Sequence, residues 1–245
     1  NPAPSLKREF EPPPNLCVPR ANGRPNMDLE AFTRANAPAE GGDGFQRENK
    51  RLLDIPVDGT VMVRAGSMIG YTGEMTFTGK SSAEGGLTGF VKEAVSSEGT
   101  PIMEAEGQGH LYVADRGKKV QVLDLDDGGS ISVNGSDVLA FESTVDYEIT
   151  TIGGISEAAA GGLTNVHLGG PGQVAITTHG DPLVLSPPVV TDPDATVAWS
   201  TDCSPSVGTN KAIEIGQTSG ESIQMSFTES EGFVVIQPYE ESQQV

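Results

Sequence analysis

An all-β fold of three small tandem modules is the architecture this sequence predicts, and three observations predict it. Short apolar blocks alternate with turn formers such as Asp126-Asp127-Gly128-Gly129 and Asn134-Gly135, the texture of many brief strands joined by tight reversals. Turn residues are abundant, with 31 Gly and 17 Pro against 8 Phe and one Trp. From Leu52 onward the chain also repeats itself loosely, in two series that keep the same order.

The first series joins an aliphatic, a small and an aromatic residue: Ile69-Gly70-Tyr71, Leu139-Ala140-Phe141 and Val197-Ala198-Trp199, at steps of 70 and 58 residues. The second sets glycine before alternating apolar residues: Gly107-Gln108-Gly109 before His110 to Val113, Gly170-Pro171-Gly172 before Gln173 to Ile176, and Glu231-Gly232 before Phe233 to Ile236, at steps of 63 and 60 residues. Each unit has the size of a small antiparallel sandwich or double-stranded β-helix module, with hairpins such as Val133-Asn134-Gly135 reversing the chain. A module this small leaves apolar surface and strand edges uncovered. Packing three side by side, and closing them against other copies, would cover both.

The implied organisation is a Pro-rich extended arm over residues 1–26, a three-module β domain over 27–240 with modules 45–120, 121–182 and 183–240, and a tail at 241–245. The arm holds seven prolines and reads either as a disordered terminus or as a segment lying on a neighbouring subunit. Met27 to Ala35 predicts a short helix, and Leu87 to Val95 a second one after a Gly/Ser-rich insertion at Gly79 to Gly89. Met62 to Phe77 reads as strand, turn, strand, turning at Gly66 and Gly73.

No motif announces a chemistry. Gly79-Lys80-Ser81 has the ending of a phosphate-binding loop, but five residues separate it from Gly73 where four are needed, and the parallel βαβ setting is missing. It reads as loop in an antiparallel hairpin. Three histidines are present, His110, His167 and His179. His110 reads as a surface or interface residue, while His167 and His179 flank the Gly169 to Gly172 turn and are the candidate metal pair, facing each other across a hairpin without an obvious third ligand. Ser67 and Ser136 follow glycines at matching places in two modules, without the strand-to-helix elbow of a nucleophile, and read as turn residues whose hydroxyls bond backbone. Cys17 and Cys203 imply no disulfide framework, and Cys203 reads as inert or buried. Asp124, Asp126, Asp127, Asp192 and Asp194 resemble fragments of calcium loops without the closing glutamate.

With 34 acidic against 15 basic residues the formal charge is −19, which disfavours binding a phosphate backbone. The acidity is scattered and lysine is scarce, at seven residues, the balance expected of a salt-adapted halophile protein. Neither a membrane-length apolar run nor a secretory signal is read, so a cytoplasmic location is expected.

Laid out this way, the chain resembles the altered inheritance of mitochondria 24 family. The residues that carry the resemblance are Gly66-Ser67-Met68, Tyr71, Gly73-Glu74-Met75, Glu98-Gly99-Thr100-Pro101, Gly107-Gln108-Gly109, Val133-Asn134-Gly135 and Val138 to Glu142. They continue through Gly161-Gly162-Leu163, Trp199-Ser200, Gly220 to Met225 and Gln237-Pro238. Residues 1–26 lie outside the match, and Thr201 to Gln217 departs from it. The resemblance implies three modules similar to the tryptophan RNA-binding attenuator fold and trimers whose nine modules make a ring. It also implies peripheral membrane association, through a mitochondrial relative tied to the inner membrane and its organising complexes. The family offers no catalytic residues to carry across. The expectation is therefore a non-catalytic scaffold or interaction protein, homotrimeric, with no cofactor and with protein partners unidentified. The alternative expectation is a small-ligand or metal-binding module using pockets between modules or subunits.

Overall fold

The computed structural model describes residues 28–39, 41–80, 102–152, 163–209 and 223–240. The chain divides into two units, residues 1–39 and 40–245. The first contains a helix, α1 (Leu29–Ala35), which begins two residues later than the sequence predicts because Asp28 takes the capping position and accepts from the Ala31 N–H at 2.7 Å. An exposed Glu30–Arg34 pair, one turn apart, supports it. The expected helix at Leu87 to Val95, Ser81 and Cys17 lie outside the described residues.

The second unit is antiparallel β throughout the described residues, in keeping with the all-β reading. Its strands are β1 (Gln46–Asn49), β2 (Leu52–Arg64), β3 (Met68–Tyr71), β4 (Glu74–Lys80), β5 (Ile102–Val113), β6 (Lys119–Leu125), β7 (Ser130–Asn134), β8 (Val138–Glu142) and β9 (Asp146–Ile152). They continue as β10 (Leu163–Gly169), β11 (Gly172–Thr178), β12 (Leu183–Leu185), β13 (Val189–Thr191), β14 (Thr196–Ser200), β15 (Ser206–Thr209), β16 (Ile223–Phe227) and β17 (Val234–Ile236). An eight-stranded sheet runs β3-β5-β2-β8-β11-β6, with β1 on β2 and β4 on β5; a six-stranded sheet runs β12-β17-β14-β7-β10-β9; a three-stranded sheet runs β13-β16-β15.

At several turns the chain changes sheet, and one of these corrects the hairpin expectation at Asn134-Gly135. β7 pairs with β10 and β14, whereas β8 pairs with β11 and β2. The two strands flanking the turn therefore never meet. The same holds at Gly170-Pro171, where β10 and β11 lie in different sheets. Lys80, expected in a loop, is the last residue of β4, opposite Ile102.

Three strand pairs share one irregularity. In β3 on β5, β8 on β11 and β14 on β17 the register slips by one residue, at Ile69, Leu139 and Val197. A bulge turns the aliphatic residue out of alternation with its neighbours, which explains the aliphatic-small-aromatic series in the sequence. In each case a backbone bond then locks the strand start: the N–H groups of Ala114, Thr177 and Gln237 donate to the carbonyls of Ser67, Asp137 and Ala195. The glycines of the second series recur for a related reason. Gly109, Gly172 and Gly232 adopt φ of +140°, +145° and +103°, and a side chain there would collide with the preceding turn or strand.

Three apolar cores follow one another along the chain. The first is built on Leu53, Ile55, Val61, Val63, Leu111 and Val113 and takes in Leu139 and Ala140 from β8. The second is built on Ile131, Val133, Phe141, Val166, Leu168 and Val174, with Met62 and Ile102 from one side and Val197 and Ala198 from β14 on the other. The third holds Trp199, Cys203, Met225, Phe227 and Val234. Phe141 has no exposed surface and its ring lies 5.1 Å from that of Tyr147. Phe141→Ala is expected to cost about 3–5 kcal/mol in urea unfolding, the loss of a large buried ring with a partly unrelaxed cavity; a change below about 1 kcal/mol would show that this core is loosely packed.

Candidate functional site

The residues that sequence reasoning put forward for chemistry do not converge. His167 sits in β10 between Ser132 and Glu148 on the adjacent strands. His179 follows the other end of β11, packs its ring at a tilt against Tyr239 with centroids 4.1 Å apart and donates its backbone N–H to Gln237 Oε1 at 2.7 Å. The two do not face each other across a hairpin, because β10 and β11 belong to different sheets. Among the described residues no group of three or more His, Cys, Asp or Glu side chains is placed to hold a metal ion.

His110 lies half-exposed with Nδ1 at 3.0 Å from both carboxylate oxygens of Asp54, which is buried. Tyr112, next along the same strand, has its hydroxyl pushed above the ordinary phenol range, by burial first and then by Asp54 and Glu48. Ser67 is buried and its hydroxyl donates to the Arg64 carbonyl at 2.7 Å. Ser136 bonds the Asn134 side-chain oxygen at 3.0 Å. Both lie at turns, but only the Ser67 hydroxyl bonds backbone as expected, and the strand registers set Ser67 level with Asp137 and not with Ser136. Cys203 is buried, with Sγ 3.3 Å from Ser200 Oγ. Asp124 accepts from Gln173 Nε2 and Asp192 caps the short 3-10 turn Pro193–Ala195, so these carboxylates serve local structure.

An open cleft of ≈ 610 Å³ lies at the crossing of β2, β4 and β5, lined by Asp58, Gly59, Gly73, Glu74, Glu106, Gly107 and Gln108. Glycine is required at its floor. A side chain on Gly107 would meet the Glu74 carbonyl at 2.0 Å, and one on Gly73 the Gln108 carbonyl at 2.1 Å. The cleft is where two strands approach closely, which accounts for the Gly-Gln-Gly motif without a ligand.

What the structure does concentrate is strand-to-strand joining chemistry. Where β2 meets β8, Val61, Met62 and Val63 lie opposite Glu142, Phe141 and Ala140. Where β7 meets β14, Ile131, Ser132 and Val133 lie opposite Ser200, Trp199 and Ala198. The two junctions share one register. The first is reinforced by a buried ion cluster: Arg64 Nη1 lies 2.9 Å from Asp115 Oδ2, Lys118 Nζ lies 2.9 Å from Asp137 Oδ1, and both cations donate to the Ser136 carbonyl. Lys118 and Asp137 are almost wholly buried. The second uses neutral groups instead, with Asn134 Nδ2 donating to the Thr196 carbonyl at 3.2 Å. Sequence reasoning missed the ion cluster, whose members are spread from residue 64 to residue 137. Its one local signal was a lysine beside an aspartate-containing turn in a chain poor in lysine.

A chain of this kind is an antiparallel β protein in which each stretch joins the next through the same pair of strands. The family model described as Mitochondrial biogenesis AIM24 matches residues 45–239, and the chain belongs to that family. A protein of Streptococcus pyogenes with a known X-ray crystal structure is similar, with a TM-score of 0.64 at 21% identity over 80% of this chain and 92% of that one; at that identity the likeness shows the fold. No curated protein matches the chain. Among the described residues no helix is long and apolar enough to cross a membrane.

Removing Lys118 takes from the buried Asp137 the cation 2.9 Å away. Lys118→Met is expected to cost about 3–5 kcal/mol in chemical denaturation, and Lys118→Met with Asp137→Leu to recover most of it. A single variant as stable as the parent would show that the cluster is hydrated.

Proposed function

We propose that this protein is a non-catalytic scaffold, built of three tandem modules like the tryptophan RNA-binding attenuator fold, which closes as a homotrimer into a nine-module ring. The observation that carries the reading is the threefold recurrence of one joint. The same bulge, the same locking hydrogen bond and the same positive-φ glycine return at Ile69, Leu139 and Val197, in module spans close to 45–120, 121–182 and 183–240. Repeats of this sort cover one another's apolar surface by stacking, and their terminal units need either special caps or further copies.

Residue types support a platform over an enzyme. Two deeply buried charges, Lys118 and Asp137, join strands, a third, Asp54, is held by His110, and the other histidines sit apart in separate local contacts. The formal charge of −19 disfavours a nucleic-acid partner for the ring, in contrast to the attenuator protein. The faces of the ring would then serve to dock protein partners, in a cytoplasm rich in salt that screens the mutual repulsion of acidic subunits.

Molar mass by light scattering tests this reading. Three times 25.5 kDa is expected in molar KCl, with dissociation promoted in dilute buffer. A monomer in every condition would overturn both the ring and the scaffold built on it.

A further inference from the structure

One sheet is half the size that the rest of the fold leads one to expect. The path β4-β5-β2 continues into β8-β11-β6, and β9-β10-β7 continues into β14-β17-β12, so two six-strand paths are each made of two three-strand halves. The third set, β15-β16-β13, stops at three strands. Its β13 is the counterpart of β7 and of the second half of β2. Val189, Val190 and Thr191 pair with Phe227, Ser226 and Met225 in the register that Ile131, Ser132 and Val133 keep with Leu168, His167 and Val166. The outer side of β13 has no strand against it among the described residues. At the other end of the chain, β3 is the counterpart of β8 and β14, and it too has a free outer side.

Exposure follows the same logic. Leu139 and Val197 are fully buried, and so are Phe141 and Trp199 to within a few per cent, whereas their counterparts Ile69 and Tyr71 are 65% and 47% exposed. Val190, on the facing edge, is 56% exposed. The cores show the same gap. The first takes Leu139 and Ala140 from the next strand set, the second takes Val197 and Ala198, and the third takes no such pair.

We infer that β3 of a second copy of this chain completes the three-stranded sheet, pairing antiparallel with β13 so that Tyr71 lies opposite Val190, Thr72 opposite Val189 and Gly70 opposite Thr191. This rests on the ring reading and gives it a residue-level contact. The register is the one already used twice inside the chain, at Phe141 opposite Met62 and at Trp199 opposite Ser132. Ile69 and Gly70 enter the third core where Leu139 and Val197, with their alanines, enter the other two. The joined edges satisfy the backbone groups on both outer strands and remove two apolar edges that would otherwise invite indiscriminate pairing. The contact is head-to-tail, because the two edges lie at opposite ends of the repeat, and it therefore closes a ring when the rotation allows. Neither edge carries the ion cluster of the first junction: Asp192 stands where Arg64 and Asn134 stand in the earlier strands, and its side chain caps the following turn. Packing and backbone pairing hold this contact.

Disulfide trapping on the full chain tests the register. In a Cys17→Ser background, Tyr71→Cys with Val190→Cys should cross-link under mild oxidation into a trimer on non-reducing gels, and Thr72→Cys with Val189→Cys should do the same with the aromatic anchor left in place. Ile69→Cys with Val190→Cys should cross-link far less, since the counterparts Leu139 and Phe141 enter different cores. A trimer by light scattering with neither productive pair cross-linked would overturn this contact while leaving the ring reading standing. A monomer carrying an internal disulfide would overturn the second-copy assignment, and equal trapping of all three pairs would overturn the register. Ile69→Asp should keep the β circular-dichroism spectrum and lose the trimer; a trimer that survives it would also overturn the contact.

Discussion

Backbone hydrogen bonding at strand edges is the constraint on which the rest of this structure depends. A three-stranded unit has two outer rows of N–H and C=O groups, and in a small module these rows are a large share of the surface. The chain meets the constraint by passing each strand set to a neighbour. β2 and β5 are long because each serves two pairings along its length, and their successors are split in two by turns such as Gly128-Gly129 and Gly170-Pro171. Every later feature follows from that exchange. The bulge aims an aliphatic side chain into the neighbouring core, the glycine lets the chain pass close beneath, and the carbonyl two residues before the bulge is claimed by a backbone donor.

Much of this was legible in the sequence, and for a physical reason. A bulge that must present an aliphatic residue to one core and an aromatic residue to the other leaves a pattern at each recurrence, as Ile69-Gly70-Tyr71, Leu139-Ala140-Phe141 and Val197-Ala198-Trp199 do. The glycines at 109, 172 and 232 were legible because a positive φ admits few alternatives. The destination of each strand was not. Asn134-Gly135 has the composition of a hairpin turn, and local propensity cannot say that the chain leaves one sheet for another there. The ion cluster was invisible for a similar reason, since Arg64, Asp115, Lys118 and Asp137 meet only after three strand sets are in place. Pairing His167 with His179 failed on the same point: adjacency across a turn requires that the two strands be partners.

The two internal junctions also show how differently the same geometry can be held. One carries a buried ion pair whose groups are costly to separate, and the other carries amide and hydroxyl contacts around Asn134 and Ser130. A buried ion pair adds little net stability over an apolar replacement, but it penalises mismatched partners strongly. Placing it between the first two strand sets fixes their order. The outer edges at β3 and β13 lack such a device and rely on exposed apolar side chains, the arrangement expected of surfaces meant to meet in solution. In the proposed ring the scattered acidic residues would keep other faces apart and make the encounter dependent on salt.

Backbone amide hydrogen exchange, followed residue by residue as protein and salt concentration rise, addresses the central claim most directly. The account predicts that protection at Ile69 to Thr72 and at Val189 to Thr191 climbs together, with the appearance of the oligomer, toward the level seen throughout in the counterpart strands β8 and β14. Rapid exchange at both edges in the fully assembled protein would contradict it, because it would mean that the free edges are not where the copies meet.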